Sequence, residues 1–356
     1  MLPLNTIIRK THLWLGLTCG LIASFSGLTG SLYVWQPEIT ALLNPHLLKV
    51  KNISDIDEAT ILKSAATLTE NLKDSIDKIH LPYREQQTIS ILFENGKTNY
   101  YHPVNYELLG SKSTSISFFE NLLDLHRTLG IPKIGKYIVG TSAVLFFFFI
   151  LTSGIYIWWK TFAHNFRKGF KIKWKSKKKK FNFDLHKVLG IYFFTPLFVI
   201  AFTGAYFTYN TFYKSALKFF DEFNNTQVNE TIKTSKDFLG FNDVLKNSNE
   251  TYALRAIYFP KDSASNYRFR FIKDRFIKAG FRKTKEVELR PDGKTTTLFD
   301  FKFDTNSNRI AAQFYPVHVG EIAGLFGRIL VFISGFVPVV LFITGFKVYK
   351  TKVKRV

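Results

Sequence analysis

The chain has 356 residues, 46% hydrophobic and 17% aromatic, with a formal net charge of +22 and a single cysteine, Cys19. The lone thiol excludes an intramolecular disulfide, a cysteine metal cluster and a Cys-x-x-Cys-His haem-attachment motif. The basic excess is gathered in residues 160–180, the C-terminal KVYKTKVKRV and the short N-terminus, which is the positive-inside pattern of a membrane protein with both ends in the cytoplasm. The charge therefore reports topology and attraction to anionic lipid, and no nucleic-acid partner is expected.

Four apolar stretches, residues 13–35, 137–159, 188–209 and 323–346, each reach the roughly 20 residues needed to cross about 30 Å of hydrocarbon. The first follows Arg9 and Lys10 like a secretory signal, but it is too long and ends in Tyr33 and Trp35, so a retained helix is expected. Gly-Leu-Thr ahead of Cys19 is also a poor lipoprotein cleavage site. The predicted order is helix 1–36 with a cytoplasmic N-terminus, outer domain 37–122, helix 123–160, basic cytoplasmic loop 161–183, helix 184–210, second outer domain 211–315, and helix plus basic tail 316–356. The fold class is an α-helical integral membrane protein, a four-helix transmembrane bundle with internal duplication, carrying two extracytoplasmic α+β domains.

In the first outer domain a helix is predicted over 57–79, followed by strands that turn at Asn95-Gly96, a strong hairpin signal. The second reads as strands YALRAIYF, YRFRFI, VELRPDGKTTTLFDFKF and IAAQFYPV, divided by turns such as Pro291-Asp292-Gly293.

A repeat underlies this order. His12 precedes Gly30 by 18 residues and His186 precedes Gly204 by 18; His126 precedes Gly154 by 28 and His318 precedes Gly345 by 27. The chain thus reads as two copies of histidine, helix, outer domain, histidine, helix. A rotation relating them would place His12 opposite His186 at an inner level and His126 opposite His318 at an outer one. A zinc site recruits four protein ligands, whereas a haem brings four equatorial nitrogens and needs two axial ones. Two haem b groups with bis-histidine ligation are therefore expected.

Gly16, Gly130 and Gly190 follow three of the histidines by four residues, on the same helical face, and would leave room for a flat macrocycle. His318 has Ile322 at that spacing, with Gly320 and Gly324 nearby. Glycines so spaced also serve plain helix packing, and histidines at helix ends also sit at headgroups. Arg127, Lys187 and Arg328 are candidate partners of haem propionates, with lipid phosphate as the other partner. His46, His80, His102 and His164 share no such context, although His80 or His102 could touch an external substrate.

The words HLWLGLTCGLIASFSGLTGSLYVW, LHRTLGIPKIGKYIVGTSAVLFFFFILTSGIYIWW, DLHKVLGIYFFTPLFVIAFTGAYF and PVHVGEIAGLFGRILVFISG resemble the PepSY-associated transmembrane family, which includes bacterial ferric-siderophore reductases and iron-regulated membrane proteins. ISILFENGKTNYYHPVNYELLG looks like a PepSY module, and the second outer domain matches less well. The resemblance implies a bacterial inner-membrane protein with large periplasmic loops that carries electrons through two haems to a ferric siderophore. His12, His126, His186 and His318 would be the ligands. Family members fused to flavin modules differ from this chain, so the donor, a cytoplasmic protein or a quinol, stays open.

Two other readings stand beside this one: a membrane-anchored PepSY sensor of a peptidase or other partner, and a transporter of the iron complex. Electron transfer faces a distance problem, because straight helices would separate the two histidine levels by more than about 30 Å. Pro132 and Gly135 are expected to break the second helix and let His126 dip inward. Tyr100, Tyr101, Arg268 and Arg270 are candidates for gripping an anionic chelate.

Overall fold

The computed structural model describes residues 3–72, 75–221, 252–262 and 265–353. They form two compact units, one of residues 1–35, 119–213 and 314–356 and one of residues 36–118 and 214–313.

The first unit is helical: α1 Leu4–Val34, the part of α2 Thr114–Thr128 from Phe119 onward, α3 Gly135–Leu145, α4 Thr152–Phe162, α5 Lys178–Tyr192, α6 Phe194–Tyr206, α7 Phe314–His318 and α8 Gly324–Val353. Three helical runs, Leu4–Val34, Gly135–Gly169 and Glu321–Lys350, are long and apolar enough to cross a membrane. The pair α5 and α6, bent by 63°, passes the same test together, giving three spans among the described residues, or four if the pair is one span. The bend has a local cause. Pro196 has no amide hydrogen and its ring would strike the carbonyl of Tyr192, the residue at which α5 ends.

A π-helical turn, Phe146–Leu151, joins α3 to α4; such turns release carbonyls from the helical ladder. α1 and α8 meet backbone to backbone where Gly27 faces Gly335, and a Cβ on either would run into the other's carbonyl. Ser31 Oγ donates to Phe332 O across the same seam at 2.8 Å. Small residues permit this approach, the usual means of packing apolar helices.

The second unit is an antiparallel sheet of β1 Ile76–His80, β2 Ile89–Phe93, β3 Thr98–Tyr101, β4 Leu108–Ser111, β5 Ala253–Tyr258, β6 Tyr267–Ile272, β7 Thr284–Leu289 and β8 Thr295–Asp300. Its order is β4-β3-β2-β1-β5-β6-β7-β8. The two polar segments, expected as separate α+β domains, are thus one sheet joined where Lys78, Ile79 and His80 pair with Tyr258, Ile257 and Ala256. Separate modules would leave β1 and β5 as open edges. Their union also sets Ile79 beside Ile257, both fully buried.

Ile61, Leu62, Ala65 and Leu68, from the helix Glu58–Asn71, cover that face. This helix is shorter than the predicted 57–79: Asp57 caps it by accepting from Thr60 N at 2.6 Å, and β1 follows. The hairpins turn at Gly96 and Gly293, with φ of 82° and 79°. The predicted strand IAAQFYPV is helical instead, falling in Asn306–Ala311 and α7, because Thr305 caps the first turn through Asn308 N.

Candidate functional site

The four repeated histidines of the helical unit meet in two pairs. The rings of His12 and His186 lie 6.3 Å apart between centroids, with planes at 81°. Those of His126 and His318 lie 6.2 Å apart at 50°.

Each ring is seated by one device. His12 Nδ1 donates to Ile150 O at 3.1 Å, with Ser153 Oγ 2.9 Å away. His126 Nδ1 donates to Ser26 O at 2.9 Å, with Thr29 Oγ1 at 3.4 Å. His186 uses Leu341 O at 3.0 Å and Thr344 Oγ1 at 3.1 Å, and His318 uses Ile200 O at 3.0 Å and Thr203 Oγ1 at 3.1 Å. In every case the carbonyl lies three residues before the hydroxyl. Each hydroxyl gives its own proton to the carbonyl four residues back, as Thr29 does to Phe25 O, Thr203 to Val199 O and Thr344 to Val340 O, so its lone pairs face the imidazole. A carbonyl can only accept, which fixes the proton on Nδ1 and leaves Nε2 as the free nitrogen.

The residue after each hydroxyl is a glycine that accommodates the ring: Gly154 for His12, Gly30 for His126, Gly345 for His186 and Gly204 for His318. A Cβ at Gly30 would stand 2.9 Å from His126 Cε1, and one at Gly204 3.0 Å from His318 Cε1. The docks are crossed: α1 carries His12 and holds His126, while α4 holds His12. The π-turn supplies Ile150, whose carbonyl receives His12.

The predicted break of the second helix is present. α2 ends at Thr128 and α3 begins at Gly135, with Leu129, Gly130 and Lys133 at positive φ between them. His126 thereby reaches the Ser26–Gly30 segment of α1. At 1.5 Å per residue that segment stands about 21–27 Å above His12, closer than the straight-helix expectation. Phe194, Phe198 and Phe202 form a stripe of rings along α6, with successive centroids 6.0 and 6.1 Å apart.

A cavity of about 300 Å³ surrounds the inner pair, reaching from Gly16, Gly20 and Gly190 to Arg9 and Tyr349. A Cβ at Gly16 or Gly190 would meet nothing within 4 Å, so both leave open space beside their histidines. Gly130 does something else: it lies beyond the end of α2 with φ of 70° and turns the chain.

Two of the three candidate cations are committed elsewhere. Lys187 Nζ binds Asp184 Oδ1 at 2.8 Å and Lys168 O at 2.7 Å, although it borders the cavity. Arg328 is buried, donating to Val34 O at 2.6 Å and lying 4.5 Å over the Trp35 ring. Arg127 is exposed. Sequence reasoning missed Arg9 at the cavity and the four docks, although Thr-Gly and Ser-Gly at the helix ends were their visible signal.

Ser26 Oγ, beside the carbonyl that holds His126, is buried without a hydrogen-bond partner among the described residues. Among those residues no three His, Cys, Asp or Glu side chains converge as a metal site. Each level therefore offers two imidazole nitrogens, enough for a group that brings its remaining ligands with it.

No curated protein matches the chain. The family model described as the PepSY-associated TM region matches residues 9–352, nearly its whole length, and a membrane protein with apolar helices and a separate antiparallel sheet fits that model. The chain belongs to the PepSY-associated TM region family.

Proposed function

We propose that the protein is a di-haem electron carrier of the bacterial inner membrane that reduces an Fe(III) siderophore. In this reading the bent pair is one span, the four spans form a duplicated bundle with both termini in the cytoplasm, and the sheet unit lies in the periplasm. The observation that carries the proposal is the pair of facing imidazoles at each of two levels, every one with Nδ1 bound to a carbonyl. Metal-ligating histidines characteristically make that second hydrogen bond, which fixes the tautomer and raises ligand basicity.

The spacing supports the fit. An imidazole nitrogen sits about 2.0 Å from a bound metal, and centroids 6.3 and 6.2 Å apart would leave room for one metal atom between the rings of each pair. His12 and His186 would hold the inner haem b, and His126 and His318 the outer. When bound, each haem would supply a one-electron Fe(III)/Fe(II) couple.

The chain's own residues orient the rings through the four carbonyl and hydroxyl docks and leave space beside Gly16 and Gly190. The expected product is Fe(II), which siderophores bind far more weakly than Fe(III). The electron donor would be a cytoplasmic protein or a quinol.

Purified protein should be red, carry two haems per chain by pyridine haemochrome, and show a Soret band that moves on dithionite reduction. Colourless protein from haem-replete cells would defeat the proposal.

A further inference from the structure

The sheet face opposite the covering helix concentrates positive charge on aromatic rings. Alternation sends Ile79, Ile257 and Phe269 into the core and Lys78, His80, Tyr258 and Arg270 to the other side. Lys78 Nζ lies 4.6 Å from the Tyr258 centroid, and Arg270 Cζ lies 5.4 Å from the same ring. Just beyond β1 the pattern recurs: Arg255 Cζ lies 4.1 Å and Arg282 Cζ 5.8 Å from the Tyr83 centroid. Two tyrosines thus each carry two cations, which gathers four positive side chains along one strip of the unit.

The carboxylate of Glu286 offsets part of this charge, holding Arg270 Nε at 2.6 Å. His80 feels cations of both groups. Burial, then the charges of Lys78, Arg255 and Arg270, lower its pKa to about 3.

A second observation is independent of charge. The Tyr83 hydroxyl is buried with no hydrogen-bond partner among the described residues. A buried hydroxyl left unpaired costs free energy that a bound acceptor recovers.

We propose that the strip from Tyr258 through His80 to Tyr83 binds a small polyanion, an Fe(III) chelate presenting carboxylate or catecholate oxygens, with Arg255 and Arg282 gripping the anion and the Tyr83 hydroxyl donating to it. The inference rests on the proposed reduction only for its choice of an iron chelate.

The test uses the full chain in nanodiscs of zwitterionic lipid and gallium(III) citrate as probe, because gallium replaces Fe(III) without accepting electrons. Calorimetry should show binding that weakens with added salt. Arg255→Gln and Arg282→Gln should each weaken it about tenfold and Tyr83→Phe at least about threefold. Lys261→Gln, an exposed change on the same unit, should leave it unaltered. Unchanged thermal melting of the variants separates lost binding from lost folding.

Citrate binding unaffected by both arginine variants would overturn the inference. So would equally tight binding of a neutral gallium trihydroxamate, or occupation by phosphatidylglycerol with no citrate bound in zwitterionic discs. The outcomes also separate the two proposals. A two-haem protein that ignores the anion sinks this inference alone, and a haem-free protein that binds it sinks the electron-carrier reading alone.

Discussion

Gly30→Ala tests the seating of the outer histidines with the addition of one methyl group. The new Cβ would lie 2.9 Å from His126 Cε1, whereas carbon atoms rest at about 3.5–4.0 Å. The ring must retreat by about 0.6 Å or more, and its retreat stretches the 2.9 Å bond from Nδ1 to Ser26 O toward the limit for a hydrogen bond. Overpacking costs about 1–3 kcal/mol and the weakened hydrogen bond about 1 kcal/mol. The sum, about 2–4 kcal/mol, corresponds to a loss of outer-site affinity of roughly 30-fold to nearly a thousandfold.

Pyridine haemochrome should accordingly fall from two haems per chain toward one, and the surviving spectrum should be that of the inner site. The clash belongs to a pair, so in a His126→Ala background the same substitution should be nearly silent, with a coupling above about 1 kcal/mol in a double-mutant thermal-melt cycle. Two haems with an unchanged spectrum in Gly30→Ala, or additive single effects, would refute the argument.

Gly16→Phe should leave melting of the haem-free protein within about 0.5 kcal/mol of the parent, since its Cβ meets nothing within 4 Å, yet remove the inner haem; retention of both haems would show that the cavity is not their site. Asp184→Asn should destabilise by about 3–5 kcal/mol, because Lys187, only 8% exposed, loses the carboxylate at 2.8 Å and keeps only the neutral Lys168 O; the Asp184→Leu, Lys187→Met pair should recover most of that in the same melt. His80 provides a pH signature. Its folded pKa of about 3 lies below the ordinary 6.5, so the unfolded chain binds the extra proton, and stability falls as pH drops from about 6.5 to 3, by up to about 1.4 kcal/mol per unit. Hydrogen exchange of β1 and β5 amides at pH 4 and 7 should show this slope flattened in His80→Gln; identical slopes in parent and variant would reject the assignment.

The apolar spans, the Asn95-Gly96 hairpin and the break after His126 were legible because each depends on residues close in sequence. The pairing of β1 with β5 was not, since nothing local distinguishes an edge strand that finds a distant partner, as Ile79 finds Ile257, from one that stays open. The docks lay in between. Thr-Gly and Ser-Gly at the helix ends were visible as a repeated motif and their spacing from the histidines could be counted. That the glycine behind His126 sits on α1, and that behind His12 on α4, depends on which helices face each other. Gly130 shows the opposite failure: a spacing of four reads as one helical face only while the helix continues, and α2 stops two residues short.

The sheet's central seam orders events in time as well as in space. When β1 to β4 have been made, β1 still shows an open row of amides and carbonyls, and its complement exists only after the intervening helices have been synthesised. The chain must shield that seam from other copies of itself for the whole interval, a hazard of long-range strand pairing. Damage to α5 or α6 should therefore surface as aggregation of the sheet, far in sequence from the lesion.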